Sequence, residues 1–165
     1  MTDLTAEILH ELFSYDVDTG IFIRIADLGI RARIGSQAGW VTRCGYCCMS
    51  IKYRKYLAHR LAWLYMTGKW PPHQIDHING IRLDNRWVNL RLATNSQNQW
   101  NSKPVRASNT SGYKGVYWSK HANMWRATIT CNGKQKVIGY RKIKEDAARL
   151  YEIAARQEFG EYARS

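Results

Sequence analysis

Apolar residues at Leu4, Ile8, Leu9 and Leu12 repeat with the spacing of one helical face, which predicts a short helix over residues 3–13. The pattern then changes. The stretch "YDVDTGIFIRI" places a turn at Asp18-Thr19-Gly20 and enters a strand, and the glycine-punctuated, β-forming run "GSQAGWVTRCGYCCMSIKYRKY" predicts strands and hairpins. In "LAHRLAWLYMTG" the residues Leu57, Leu61, Leu64 and Tyr65 share a helical face, Gly68 stops the helix, and Pro71-Pro72 forbids its continuation. A short strand follows at 74–78, with a turn signal at Asn79-Gly80 and a returning strand at roughly 88–93. Thr94 and Ser96 are good helix caps, and Gln97 stands three after Thr94 as in a capping box, so another helix should start there.

Residues 102–112, "SKPVRASNTSG", are polar and turn-rich and read as a linker. Beyond them come three alternating runs, "YKGVYWS", "MWRATIT" and "KQKVIGY", and then the helical "IKEDAARLYEIAARQEFG", with Ala147, Tyr151, Ala154 and Ala155 on one face and Gly160 at its end. No internal repeat is visible. The expected fold is α+β in two parts: a β-rich region and hairpin-plus-helix domain over 1–102, a linker at 103–110, and a three-stranded antiparallel sheet packed on one helix over 111–165.

At 165 residues and 45% hydrophobic, the chain can build a packed core. No apolar run reaches membrane-spanning length, and the acidic, amphipathic N-terminus is unlike a signal peptide, so the expectation is a soluble cytoplasmic protein with no membrane partner. The net charge of +12 points first to polyanions and second to an acidic membrane surface. Its distribution narrows this: residues 85–144 hold 12 Lys or Arg and no carboxylate, as a nucleic-acid surface would. Cys44, Cys47, Cys48 and Cys131 offer half of a zinc site, which Cys131 and a histidine would have to complete; the other reading is small reduced side chains on a strand.

Candidate chemistry concentrates in "IDHINGIRLDNRWVNLRLATNSQN", residues 75–98. Hydrolysis of a phosphodiester needs a base for water and a cation near the leaving oxygen. His77 suits the base, Asp76 offers a hard oxygen to Mg²⁺, and Asn98 offers another without adding charge. A histidine works as a base only if its opposite N–H is held, and Asn89 on the returning strand is placed to hold it. Asp76 and His77 face opposite ways on an ideal strand, so both can serve one phosphate only where the strand ends or distorts. Asp84 and Asn85 should shape the loop. Read separately, each pair is an ordinary turn or loop; the spacing of all four groups is what carries the reading.

That spacing, D-H-x-N-G, then D-N-x-x-x-N-L-R, then a final Asn nine residues after the preceding one, resembles the HNH nuclease motif of the ββα-metal fold, and with the preceding "LAHRLAW" it is similar to phage HNH homing endonucleases over about residues 45–101. The resemblance implies His77 as general base, Asn89 as the central position, Asp76 and Asn98 as metal ligands, and Mg²⁺ as the ion, with Mn²⁺ as the alternative. His59 and Arg60 match an H-R pair of such sequences and are candidate phosphate contacts, against the plainer reading of a core-edge histidine and a surface arginine. Residues 111–160 resemble the AP2 DNA-binding domain through "SGYKGV", "MWRATI", "IGYR" and "EDAARLYEIAA". This implies Val116, Trp125, Ala127, Ile129 and Ile138 against the helix, and Lys114, Tyr117, Ser119, Arg126, Thr128, Thr130 and Gln135 toward DNA. The first strand carries Tyr117 and Ser119 where that family is arginine-rich, so its target preference does not transfer.

The resulting expectation is a metal-dependent DNA endonuclease that nicks double-stranded DNA, acting as a monomer without an obligate protein partner, in a bacterial host cell if phage-encoded. Its rival is a non-catalytic sequence-specific DNA-binding regulator, which would explain the charge and the C-terminal part but has no use for Asp76, His77, Asn89 and Asn98 together.

Overall fold

The computed structural model describes residues 4–27, 32–101, 109–131 and 133–163. The chain divides into two compact units, 1–94 and 95–165, and both mix helix and sheet, as an α+β chain should.

In the first unit Thr5 caps helix α1 (Ala6–Leu12), its hydroxyl accepting from the Ile8 N–H at 3.4 Å. The helix stops earlier than expected. Phe13 and Tyr15 are buried while Ser14 and Asp16 are not, a period of two, and this stretch forms strand β1 (Phe13–Asp16), antiparallel to β2 (Ile21–Arg24). A second sheet runs β3 (Trp40–Val41), β4 (Cys47–Ile51), β5 (Arg54–Leu57). Helix α2 (Ala58–Thr67) follows directly and ends at Gly68, whose left-handed φ of 73° lets its N–H close on Leu64 O at 2.9 Å. The hairpin β6 (Gln74–His77) and β7 (Leu90–Ala93) pairs Asp76 with Arg91 and His77 with Leu90. A 3₁₀ turn at Trp87–Asn89 occupies the start of the expected returning strand. Leu9, Phe13, Phe22, Met49, Leu61 and Leu64 are fully buried and form the core that fixes these pieces together.

The β4–β5 connection has a feature no sequence signal announced. Lys52 and Tyr53 form a two-residue turn with φ of 48° and 65°, both left-handed, where asparagine and glycine are the usual occupants. Left-handed backbone at such residues costs about 1 kcal/mol or more each.

The second unit begins with α3 (Asn95–Asn101) and continues with β8 (Val116–Ser119), β9 (Met124–Cys131) and β10 (Lys134–Arg141) in the order β10-β9-β8, then α4 (Lys144–Phe159). Val116, Ala127 and Ile129 pack against Ala147, Tyr151, Ala155 and Phe159, with Trp125 and Ile138 at the margin, as the alternation required. Residues 102–108 of the expected linker lie outside the described residues. Its remainder is structured: Ser111 is buried, with its hydroxyl 2.8 Å from Val116 O and 2.6 Å from Asn109 Oδ1.

Candidate active site

Strand β6 buries Ile75, Asp76 and His77 in succession, so both of its faces are covered where it ends. That resolves how neighbouring residues pointing opposite ways can both be built into a site. Across the ladder, Arg91 brings Nε to 2.9 Å and Nη2 to 2.8 Å from Asp76 Oδ2. Both side chains are nearly enclosed, and a guanidinium at this range holds the carboxylate in one orientation.

His77 lies 3.2 Å through Nε2 from Asn85 Oδ1. The Asn85 amide nitrogen donates to Leu83 O at 3.3 Å, which turns its oxygen toward the ring and assigns the imidazole proton to Nε2. The lone pair is then on Nδ1, the tautomer a general base needs. The His77 ring also meets the His59 ring in an edge-on contact, centroids 5.0 Å apart at 82°, and lies near Tyr46. Burial lowers the pKa of His77 from its usual value, opposed by the Asn85 bond and by the Asp76 and Asp84 charges. Burial acts more strongly on His59, which falls to about 3, with the nearby His77 and Arg60 lowering it further. Both rings are neutral at pH 7.

The amide that meets His77 is therefore Asn85, where Asn89 was expected. Asn89 is committed to the loop: its Oδ1 accepts from Asn79 N at 3.0 Å, and its Nδ2 donates to Asp84 O at 2.7 Å and Asn79 Oδ1 at 3.1 Å. Asp84 is held by Arg86 and Asn79 and sits well below the usual carboxylate range, at about 2. Asn85 is braced from the N-terminal hairpin. The buried Tyr15 hydroxyl donates to Asn85 O at 2.6 Å, and Trp87 N donates to Val17 O at 3.1 Å. Gly20 lies so close that a Cβ there would come within 2.4 Å of Asn85 C and Arg86 N, and its φ is 73°. Only glycine permits this approach.

The other expected site residues are dispersed. His59 is buried against His77, and its Nδ1 has no hydrogen-bond partner. Arg60 reaches the carbonyls of His73 and Pro71 at 3.3 and 3.5 Å. Asn98 lies on α3, in the second unit. There, Lys114 Nζ hydrogen-bonds Trp100 O, and lies 3.4 Å from Gln99 O, so it caps α3. Thr128 is buried, with its hydroxyl 3.3 Å from Gly115 O and 3.4 Å from Gln135 Nε2. α3 packs back over this end of the sheet, leaving a cleft of about 300 Å³ lined by Gln99, Trp100, Lys114, Tyr117, Thr130 and Gln135. Tyr117 and Arg126 are register partners, and Tyr140 pairs with Arg126 from the other side. Ser119 hydrogen-bonds Ala122 N at 3.3 Å. Sequence reading missed Asn85 as a partner of His77, Arg91 as the partner of Asp76, and Tyr15 as a brace. Arg91 could have been found from the hairpin register, since a strand pairing of 77 with 90 places 76 opposite 91.

Over 113 residues the chain is 41% identical to Protein 3.8 of Escherichia phage T7, an alignment that spans 68% of this chain and 92% of that one. A sequence model of the HNH endonuclease family matches residues 56–100, the segment that carries α2, β6 and β7. The chain belongs to the HNH endonuclease family. It is also 36% identical over 111 residues to an HNH endonuclease of Acanthamoeba polyphaga mimivirus, covering 66% of this chain and 56% of that protein. No solved structure matches it. As an HNH endonuclease it is an enzyme that acts on DNA, which decides against the non-catalytic regulator. HNH nucleases generally use a divalent metal. The donors available near His77 fit a hard cation, because Asp76 presents carboxylate oxygen held in place by Arg91. Among the described residues no group of three or more His, Cys, Asp or Glu side chains is gathered as a thiolate or imidazole metal site would require.

Proposed function

We propose that this HNH endonuclease is a divalent-metal-dependent enzyme that nicks one strand of double-stranded DNA, with His77 as general base. The contact between His77 Nε2 and Asn85 Oδ1 carries the reading, because it puts the basic lone pair on Nδ1. Nδ1 takes a proton from water as the water oxygen attacks phosphorus. The imidazolium that forms is stabilised through Nε2–H by Asn85 and by the Asp76 and Asp84 charges. Burial keeps His77 neutral until that moment. Asp76 and Asn98 would hold the metal, and Mg²⁺ would supply Lewis-acid stabilisation of the departing alkoxide. Asn89 acts by holding the loop that presents Asn85.

The second unit serves as an AP2-like DNA reader. This is supported by three antiparallel strands on one helix and by a tyrosine–arginine–tyrosine row, Tyr117, Arg126 and Tyr140, on the sheet face opposite Val116 and Ala127. One base addresses one phosphate, so a single molecule cuts one strand. The test uses supercoiled plasmid with Mg²⁺, with and without chelator. Open circles should accumulate before linear product, only with metal, and not with His77→Ala, which should still bind DNA. Full cleavage by His77→Ala would overturn the base assignment, and immediate linear product with a steep dependence on protein concentration would show a dimeric cutter.

A further inference from the structure

The β4–β5 hairpin of the first unit ends in Lys52-Tyr53, and Tyr53 is as exposed as an isolated residue, at 104%. Nothing in its own unit covers it. Lys52, Arg54 and Lys55 around it are also exposed, and residues 28–75 contain 8 Lys or Arg without one Asp or Glu. The backbone beneath is left-handed at both tip residues. A tight turn of this kind is stiff, and with Asn-Gly in its place it would be relaxed and featureless. The strained form instead holds an aromatic ring outward at the end of the β3-β4-β5 sheet with cations on both sides. Strain retained at an exposed aromatic tip has no packing return, which directs attention to a ligand.

We propose that this hairpin is a DNA-contacting probe of the nuclease unit: Tyr53 enters a groove of duplex DNA as an aromatic wedge, and Lys52, Arg54 and Lys55 take the adjoining phosphates. The partner follows from the chemistry. A tight turn at the end of a sheet can reach into a DNA groove, a basic stretch of sequence without carboxylates suits a polyanion, and every base step offers a ring face to an inserted side chain. The probe stands immediately before α2, whose His59 packs on His77, so a contact there bears on the unit that cuts as well as on the unit that reads. The inference rests on the proposal that the chain acts on duplex DNA.

The test uses the full chain carrying His77→Ala, so that DNA stays intact, and a short mixed-sequence duplex titrated by anisotropy over a range of salt. Tyr53→Ala should weaken binding about tenfold at every salt concentration with the slope of log K against log salt unchanged. Lys52→Ala with Lys55→Ala should lower that slope by about 1.8, at roughly 0.9 per phosphate contact. Lys52→Asn with Tyr53→Gly, the favoured turn pair, should weaken binding at least as much as Tyr53→Ala, lower the slope by about 0.9 for the lost Lys52 contact, and raise the melting temperature. Binding at the parent level by both Tyr53 variants overturns the proposal. So does weakened binding accompanied by a lower melting temperature in the Asn-Gly variant, which would mark a folding effect. Failure of the nuclease reading would show separately, as absence of metal-dependent cleavage by the native chain, which this binding assay does not involve.

Discussion

His77 Nε2 and Asn85 Oδ1 meet at 3.2 Å, and the backbone carbonyl of the same asparagine accepts the Tyr15 hydroxyl at 2.6 Å, so one residue orients the candidate base and is itself tied to the N-terminal hairpin. Asn85→Leu should lower the single-turnover nicking rate by about 10- to 100-fold with little change in DNA affinity, the size of effect seen when a group that orients a reactive residue is lost. Asn89→Ala should behave differently. It releases Asn79 N and Asp84 O, so it should lower thermal stability by about 1–3 kcal/mol and reduce activity in step with unfolding of the loop. Equal nicking by Asn85→Leu and wild type would remove Asn85 from the site.

Two buried histidines set the pH behaviour. His77 serves as a base only when neutral, and burial lowers its pKa, so the acid limb of the nicking profile should lie below the ordinary imidazole value of 6.5. Sequence reasoning alone places that limb near about 6 for an unperturbed ring. His59 titrates at about 3 folded and at the ordinary 6.5 unfolded. Between those values the unfolded chain binds a proton that the folded chain does not, so stability falls as pH drops through this window and is flat above it. The contribution is roughly 1.4 kcal/mol per pH unit. His59→Phe keeps a ring against His77 and should remove this part of the slope. Melting temperature measured from pH 7 to pH 4 on both proteins tests it, and superimposable curves would contradict the burial of His59.

Asp76 and Arg91 form an enclosed ion pair, with side chains 5% and 11% exposed. Arg91→Met removes the guanidinium from a buried carboxylate and should destabilise the fold by about 3–5 kcal/mol. Arg91→Lys restores charge without the fork and should recover only part of it. Asp76→Asn combined with Arg91→Met should be more stable than Arg91→Met alone and should not cleave. Denaturant unfolding of the three variants measures this, and a double variant no more stable than Arg91→Met would show that the pair is not coupled.

Much of this architecture was legible in the residues. The apolar spacing of α2 and α4, the alternation in β8 to β10 and the glycine at the end of α2 each state a local preference that the fold keeps. The place of Asp76 and His77 at the end of a strand was legible from the turn signal that follows them. The choice between Asn85 and Asn89 was not, since both follow His77 in a loop closed by side-chain bonds whose pattern depends on where Asp84 and Asn79 settle. The surroundings of Lys114 and Thr128 were not legible for a related reason. Alternation assigns a side chain to a face of the sheet, but it does not reveal that α3 returns to cover one end of that face. The turn at Lys52-Tyr53 defied propensity altogether, because neither residue signals a left-handed backbone.

The division of the chain after Thr94 changes what truncation should do. Residues 103–165 carry 13 basic and 5 acidic side chains, a net +8, so their removal should weaken DNA binding and, for about three lost phosphate contacts, reduce the salt slope by roughly 3. Sequence alone suggests that what remains is a folded nuclease that is merely poorly targeted. Within the second unit, however, Trp100 of α3 stacks on Phe159 with ring centroids 4.2 Å apart and planes 12° from parallel, and Lys114 caps the last carbonyls of α3. Seven residues are too few to hold a helix without such partners, and Asn98 lies among them. The truncated chain should therefore nick at least about tenfold more slowly even at low salt and saturating protein, where the binding deficit is overcome. Phe159→Ala in the full chain should lower the nicking rate while leaving the salt slope in place, because it unseats α3 and removes no cation. Comparing saturated rates at low salt separates the two causes. A truncated protein that nicks at the full-length rate under saturation would show that α3 needs nothing from the C-terminal unit and that this unit contributes binding alone.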